Sequence, residues 1–363
     1  MRIIVKVGTS TLTGGTPHLN RQRMLEIVQQ IAHLHQKGHE IALVSSGATA
    51  AGRDRLGFPD FGRSVPAKQM LSAVGQGRLM HYYSELFEIF SIVVGQVLLT
   101  RDDLTSRARY LNCRDTLVTL IERRIIPIIN ENDTTVTSDV RVGDNDNLSA
   151  MVATTVDANL LIILTDMPGL FTADPRKKPD ARLIPLIERI DEQTYALAGG
   201  TGTSLGTGGM LTKIEAAHTA SRSGVMTVLA SGKEEDVLLR VVAGEDLGTR
   251  FAPVSSALES RKRWLLTDKP QGMITIDEGA ARVLRSGKAS LLPVGVTRVR
   301  GDFLRGATVS ILTPDGAELA HGMCNYNASD LVRLIGVKSD RISEILGYTY
   351  GDYVIHRNNM VML

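Results

Sequence analysis

Short apolar runs alternate with longer helical stretches from the N-terminus to about residue 250, and this alternation limits what the chain can become. The runs at 2–7, 41–45, 92–99, 125–129 and 160–164 are rich in β-branched residues and bounded by polar residues or glycine, the pattern of buried strands. Between them the spacing predicts helices. One runs from an Asn20 cap to Gly38, with Met24, Ile27, Val28, Ile31 and Leu34 on one face; others are opened by Pro66 or cover 107–124 and 147–158. Strands that alternate with helices in this way build a mostly parallel sheet covered on both faces, an α/β fold. Ligands of such sheets gather beyond the carboxyl ends of the strands, so the residues that follow each run are the functional candidates.

The most unusual of these ends follows the run at 125–129. Asn130-Glu131-Asn132-Asp133 appears there abruptly, and Gly143-Asp144-Asn145-Asp146-Asn147 comes soon after. Crowded carboxylates and carboxamides add little stability, and a solvated turn is the competing reading for either cluster alone. Two clusters with few basic residues between them favour a site for a small ligand bearing an ammonium group, or for a metal ion.

The run at 2–7 contains Lys6 and leads into Gly8, Thr9 and Ser10. A lysine, close backbone approach and hydroxyls suit phosphate, although a lysine snorkelling to water reads the same way. Ser46 and Gly47 turn out of the next strand and offer a hydroxyl and a helix N-terminus to an anion, or only a cap. Thr165 and Asp166 follow the run at 160–164, the place for a nucleotide base or ribose, or for a plain loop. The Gly-rich stretch 199–224 includes Gly206-Thr207-Gly208-Gly209-Met210-Leu211-Thr212-Lys213 and runs straight into a helix. It has neither G-x-x-x-x-G-K-[ST] nor G-x-G-x-x-G spacing. Its backbone donors, hydroxyls, lysine and helix N-terminus are nevertheless the parts of a phosphate site; a flexible linker seldom ends in a lysine that opens an amphipathic helix.

With 363 residues there is room for two domains. Periodicity lapses over 244–270. Beyond it come short strands at 273–276, 309–312 and 320–323, a helix at 278–286 and a Pro314-Asp315-Gly316 turn, which together read as a small, mainly β domain. The expected division is 1–255, a linker at 256–270, a second domain at 271–350 and a tail at 351–363. Lysine and arginine number 41 against 39 acidic residues, a balance that gives no field for nucleic acid or membrane. Cys113 and Cys324 lack metal-ligand spacing and read as reduced thiols. No run reaches ~18 apolar residues and the apolar start is short for a signal peptide, so the cytoplasm is the expected location.

Taken together, the motifs resemble the amino-acid kinase family along essentially the whole chain, and in particular its members that phosphorylate the side-chain carboxylate of glutamate. The resemblance is carried by IVKVGTS at 4–10, SSGA at 45–48, INEND at 129–133, VGDNDNLSA at 142–150, ILTD at 163–166, GLFTADP at 169–175 and GTGGMLTK at 206–213. VRGDFLRGATVSI at 299–311 and ELAHGMCNYN at 318–327 resemble a PUA domain. The resemblance implies an αβα sandwich of amino-acid-kinase type, with ATP and L-glutamate as substrates and Mg²⁺ required. By motif position Lys6 and Lys213 would flank the transferring phosphoryl group, and Asp146 would orient them or the glutamate. Ser46, Gly47, Asp133 and Asn145 would hold glutamate. Lys6, Gly8, Thr165, Asp166 and the stretch Thr207, Gly208, Gly209, Met210, Leu211, Thr212 and Lys213 would hold the nucleotide. No direct metal ligand is assigned. The resemblance further implies feedback inhibition by proline, a functional partnership with glutamyl-phosphate reductase, and a homo-oligomer, dimer or tetramer. PUA domains elsewhere bind RNA. Residues 271–349, however, hold nine Lys/Arg against eight Asp/Glu, too even a balance for a phosphate-tracking surface, so assembly or regulation is the expected role.

Overall fold

The computed structural model describes every residue except 59–63, 137–144, 199–208, 255–264, 267 and 288, and the side chains of residues 107 and 108. The chain divides into two compact units, Met1–Leu104 with Cys113–Ser256, and Thr105–Asn112 with Ala257–Leu363.

As far as residue 251 the elements are β1 (Arg2–Val7), α1 (Thr9–Thr13), α2 (Arg21–Gln36), β2 (Glu40–Ser45), α3 (Ala48–Arg55), α4 (Val65–Glu88), β3 (Val94–Leu99), α5 (Arg101–Thr105), α6 (Arg107–Glu122), β4 (Ile126–Glu131), α7 (Asn145–Thr155), β5 (Leu160–Thr165), β6 (Leu186–Ile187), α8 (Glu192–Leu197), α9 (Met210–Arg222), β7 (Met226–Ser231), α10 (Val237–Ala243) and β8 (Thr249–Phe251). Eight strands form one sheet in the order β3-β4-β2-β1-β5-β7-β8-β6. Every pairing is parallel except β7 with β8.

The two-residue period of a strand divides its side chains between two cores. Ile3, Val5 and Val7 of β1 and Ile41 and Leu43 of β2 meet Met24, Ile27 and Ile31 of α2 and Leu79 of α4 on one face. On the other face, Ile4, Val44, Leu161 and Ile163 meet Leu148 and Val152 of α7 and Ile214 and Ala217 of α9. This is the αβα sandwich that the alternation dictates, and burial on both faces is why its strands read as continuous apolar runs.

Two glycines set how closely α3 and α4 cross. A Cβ on Gly52 would lie 1.9 Å from the Leu71 carbonyl oxygen, and one on Gly75 would lie 1.8 Å from that of Ala48. Only bare backbone permits that approach, and it fixes α4 as a wall beside the ends of β3 and β4. Because α7 and α9 run back antiparallel to the strands they precede, their N-termini reach the carboxyl edge of the sheet. The N-terminus of α3, directly after β2, lies at the same edge.

The second unit contains β9 (Gly272–Ile276), α11 (Glu278–Arg285), β10 (Val296–Arg300), β11 (Thr308–Leu312), β12 (Glu318–Met323), α12 (Ala328–Arg333), α13 (Ile342–Leu346) and β13 (Met360–Met362). Its sheet runs β10-β9-β11-β12-β13, antiparallel except for β9 with β11. Its core includes Ile274, Val309, Ile311, Tyr326 and Leu331. After residue 350, where the sequence shows only a tail, β13 pairs with β12. Within this unit Tyr110 and Leu111 meet Leu265, Met323 and Val361. Arg305 is only 7% exposed. Its Nε donates to the Asn325 carbonyl, one terminal nitrogen donates to Asn112 Oδ1, and its Cζ lies 3.6 Å from the centre of the Tyr350 ring. No helix among the described residues is long and apolar enough to cross a membrane.

Candidate active site

The ends of β4, β2, β1 and β5 lie side by side at the carboxyl edge of the larger sheet. Lys6 shares the parity of Ile4 in β1, so strand alternation sends it to the face covered by α7 and α9. There Lys6 Nζ lies 2.6 Å from Asp146 Oδ1, and Lys213 Nζ lies 3.0 Å from Asp146 Oδ2. The three side chains are nearly closed to water, at 7%, 10% and 2% exposed for Lys6, Lys213 and Asp146. The Thr212 hydroxyl is 2.8 Å from the same Oδ2 and 2.9 Å from the Gly209 carbonyl, with one proton for the two acceptors. Burial alone would raise the Asp146 carboxyl, but the Lys6 and Lys213 ammonium groups outweigh it and hold the carboxyl well below the usual range. Two cations around one ionised carboxylate leave a net positive charge, placed where two helices begin.

The spacing predicts a helix from residue 147, but α7 starts at Asn145. The earlier start puts Asn145 and Asp146 in its first turn, with adjacent side chains serving different neighbours. Asn145 Nδ2 donates to Ser46 Oγ at 2.9 Å and to Asn130 Oδ1 at 2.8 Å. Gly47, with φ at +108°, then turns the chain into α3. Beside this network, between α4 and the ends of β3 and β4, lies a pocket of about 260 Å³. Gln76, Gln96, Glu131, Asn132 and Asp133 supply its polar lining. Burial raises the Asp133 carboxyl, with a Ser72 hydrogen bond opposing in part.

The remaining candidates frame the same edge. A Cβ on Gly8 would be 3.5 Å from Lys6 Nζ. Thr165 Oγ1 donates to Asp166 Oδ1 at 3.0 Å at the end of β5, the neighbour of β1. Gly209 caps α9, and Met210 and Leu211 open it, with Leu211 exposed. Thr207 and Gly208 lie outside the described residues. Gln76 was missed by sequence reasoning. It sits inside a long helix with no motif around it, and only the crossing of α4 brings it to the pocket.

A mostly parallel αβα sandwich with a buried Lys–Asp–Lys cluster at its carboxyl edge is the architecture of an α/β protein suited to a phosphorylated ligand. Residues 1–229 match the model of the amino acid kinase family, and residues 272–346 match that of the PUA domain. A glutamate 5-kinase of Herpetosiphon aurantiacus is 53% identical over 362 residues, spanning 99% of this chain and 98% of its own. One of Deinococcus radiodurans is 51% identical over 363 residues, the whole of both chains. Among solved structures, a Giardia lamblia carbamate kinase bound to AMP-PNP shares the fold, with a TM-score of 0.51 at 18% identity over 69% of this chain and 98% of its own. The chain belongs to the glutamate 5-kinase family and is an enzyme, a kinase.

Proposed function

We propose that the protein transfers the γ-phosphoryl group of ATP to the side-chain carboxylate of L-glutamate, yielding L-glutamyl 5-phosphate and ADP, the first step of proline biosynthesis. The main support is the adjacency of Asn145 and Asp146, which sets a buried two-lysine cluster next to a pocket holding a desolvated carboxylate.

The acceptor carboxyl has a pKa near ~4.3 and is already ionised at neutral pH, so no general base is required. One of its oxygens attacks the γ-phosphorus. A P–O bond forms there as the bond to the ADP oxygen breaks, and no proton moves. What opposes reaction is the approach of an anion to a polyanion, so catalysis is positioning and charge neutralisation. Asp146 holds both ammonium groups together at the carboxyl edge, where Lys6 and Lys213 suit the phosphoryl oxygens. Asp133 suits the ammonium group of the acceptor, Ser46 and the backbone at Gly47 suit a carboxylate, and Asn145, whose Nδ2 is taken up by Ser46 and Asn130, offers the ammonium group its Oδ1. Gly8, Thr165, Asp166 and the approach to α9 from Thr207 to Lys213 suit the nucleotide.

Among the described residues no group of three or more His, Cys, Asp or Glu is placed to hold a metal ion, and both Asp146 oxygens are engaged by lysines. Mg²⁺ bound with the phosphates of ATP would supply further charge neutralisation. Proline, a cyclised relative of the acceptor, would compete in the same pocket. A labile acyl phosphate product calls for a glutamyl-phosphate reductase to consume it. In this reading the protein works in the cytoplasm as a homo-oligomer, with the PUA domain serving assembly or regulation.

The test is trapping of the product by hydroxylamine with ATP, Mg²⁺ and a panel of glutamate, aspartate, acetylglutamate and carbamate. Acyl hydroxamate from free glutamate alone is the expected result. No hydroxamate from glutamate with folded protein would refute the proposal.

A further inference from the structure

Gln76 stands on α4 against the acceptor pocket and is only 9% exposed. The direction of its amide is fixed by a chain of donors that starts at the backbone. The Glu131 N–H can only donate, so the Asn130 side-chain atom it meets at 2.9 Å is the carbonyl oxygen. Asn130 therefore turns Nδ2 toward Gln76, which answers with Oε1 at 2.8 Å. This leaves Gln76 Nε2 buried, with no hydrogen-bond partner among the described residues. At the far end of the same network Asn145 commits Nδ2 to Asn130 and Ser46, and its Oδ1 is likewise buried without a partner among the described residues. Buried polar groups are nearly always paired, because an unpaired one forfeits its hydration. Gln76 also follows Gly75, whose contact with the Ala48 carbonyl prevents α4 from sliding.

We infer that Gln76 is an acceptor-binding residue, whose Nε2 donates to the main-chain carboxylate of the amino acid while Asp133 takes its ammonium group. The main-chain carboxylate is the partner because Gln76 and Asp133 line one pocket, whereas the reacting side-chain carboxylate must lie at the lysine cluster. The assignment rests on the reading of the acceptor as a free amino acid. It also makes specificity depend on a neutral donor, one that leaves the charge of Asp133 uncompensated until an ammonium group arrives.

The test is Gln76→Glu, which keeps the shape and the acceptor oxygen for Asn130 but turns a carboxylate toward the carboxylate of the substrate. The glutamate KM should rise by more than about 100-fold near neutral pH, since like charges are juxtaposed, with the ATP KM within about twofold of the parent. The ratio of variant to parent glutamate KM should fall as the pH is lowered and the introduced carboxyl regains a donor proton, a trend that lost packing would not produce. Gln76→Met removes the donor without adding charge and should raise the glutamate KM by about 10- to 100-fold, which keeps the test open if the charged variant fails to fold. Turnover of the parent with glutamate tests the acceptor reading by itself. With that turnover established, a parental glutamate KM in the folded variants, or glutamate and ATP KM values that rise together, would overturn the role of Gln76.

Discussion

Asp146→Asn preserves shape and removes the carboxylate charge that the two lysines share. At an effective dielectric of about 20, each contact at 2.6 and 3.0 Å is worth roughly 6 kcal/mol of attraction. Desolvation of the carboxylate offsets much of that, and removing one partner from a buried ion pair has a net cost of about 3–5 kcal/mol. In a unit of this size each kcal/mol is about 2–4 °C in melting temperature, so the ligand-free variant should melt roughly 6–20 °C below the parent near neutral pH. Ordinary core damage would lower the Tm as well, and nucleotide separates the two cases. Without the carboxylate, Lys6 and Lys213 lose their shared counter-ion, and the phosphates of ATP replace what was lost. MgATP should therefore raise the Tm of the variant by more than it raises that of the parent. Differential scanning fluorimetry of both proteins with and without saturating MgATP reads the difference. A ligand-free Tm within about 2 °C of the parent, or equal nucleotide shifts, would show that Asp146 is not the counter-ion of the pair. The acid limb supplies a second reading. Because the folded carboxyl lies below its unfolded value, its stabilisation is complete above about pH 4 and is lost as the pH falls further, so parent and variant should converge in acid.

Asp133→Asn should raise the glutamate KM by about 10- to 100-fold while leaving the ligand-free Tm unchanged or higher. Burial raises this carboxyl, so its ionised form costs stability as the pH rises through the interval between the unfolded and folded values. The parental glutamate KM should accordingly climb as the pH falls through the raised value, and a KM untouched by the substitution would remove Asp133 from the site. Gly75→Ala places a Cβ against the Ala48 carbonyl and forces α3 and α4 apart, a change expected to cost about 3 kcal/mol or more and to raise the glutamate KM by displacing Gln76. A parental Tm would show that the crossing has slack. Burial pushes the Cys324 thiol up to about 12, whereas Cys113 is only partly covered. A thiol-reactive disulfide should therefore titrate one cysteine in the native protein and two in denaturant; prompt native reaction of both would contradict the burial of Cys324.

Local periodicity carried most of the larger sheet. The run at 160–164 becomes Leu160–Thr165, and Asn20 and Gly38 bracket α2 as their cap chemistry requires. The early start of α7 was hidden because Asn145 and Asp146 form helices poorly, and their clustering imitates a turn. Buried partners and the helix dipole hold them in the first turn instead. The start of α6 reads with the same period whether it joins one unit or the other, so nothing local shows that Thr105–Asn112 groups with the PUA unit. β13 depends on the free edge of β12, a tertiary condition that its three residues do not announce. Gln76 and the glycine crossing were equally silent, because long-range approach alone gives them meaning.

β1 precedes every other strand of its sheet in the chain, yet it lies between β2 and β5 in the middle of that sheet. The Arg2 N–H reaches the Asn159 side chain across 157 residues of chain. At about 5–20 residues per second, a ribosome needs roughly 8–30 s to deliver that partner. Throughout that interval one flank of β1 is an unpaired apolar edge, the kind of surface that recruits other chains. Lys6 is made well before Asp146, its ion-pair partner. Competence therefore comes late in synthesis, and refolding from denaturant should be slow and sensitive to protein concentration.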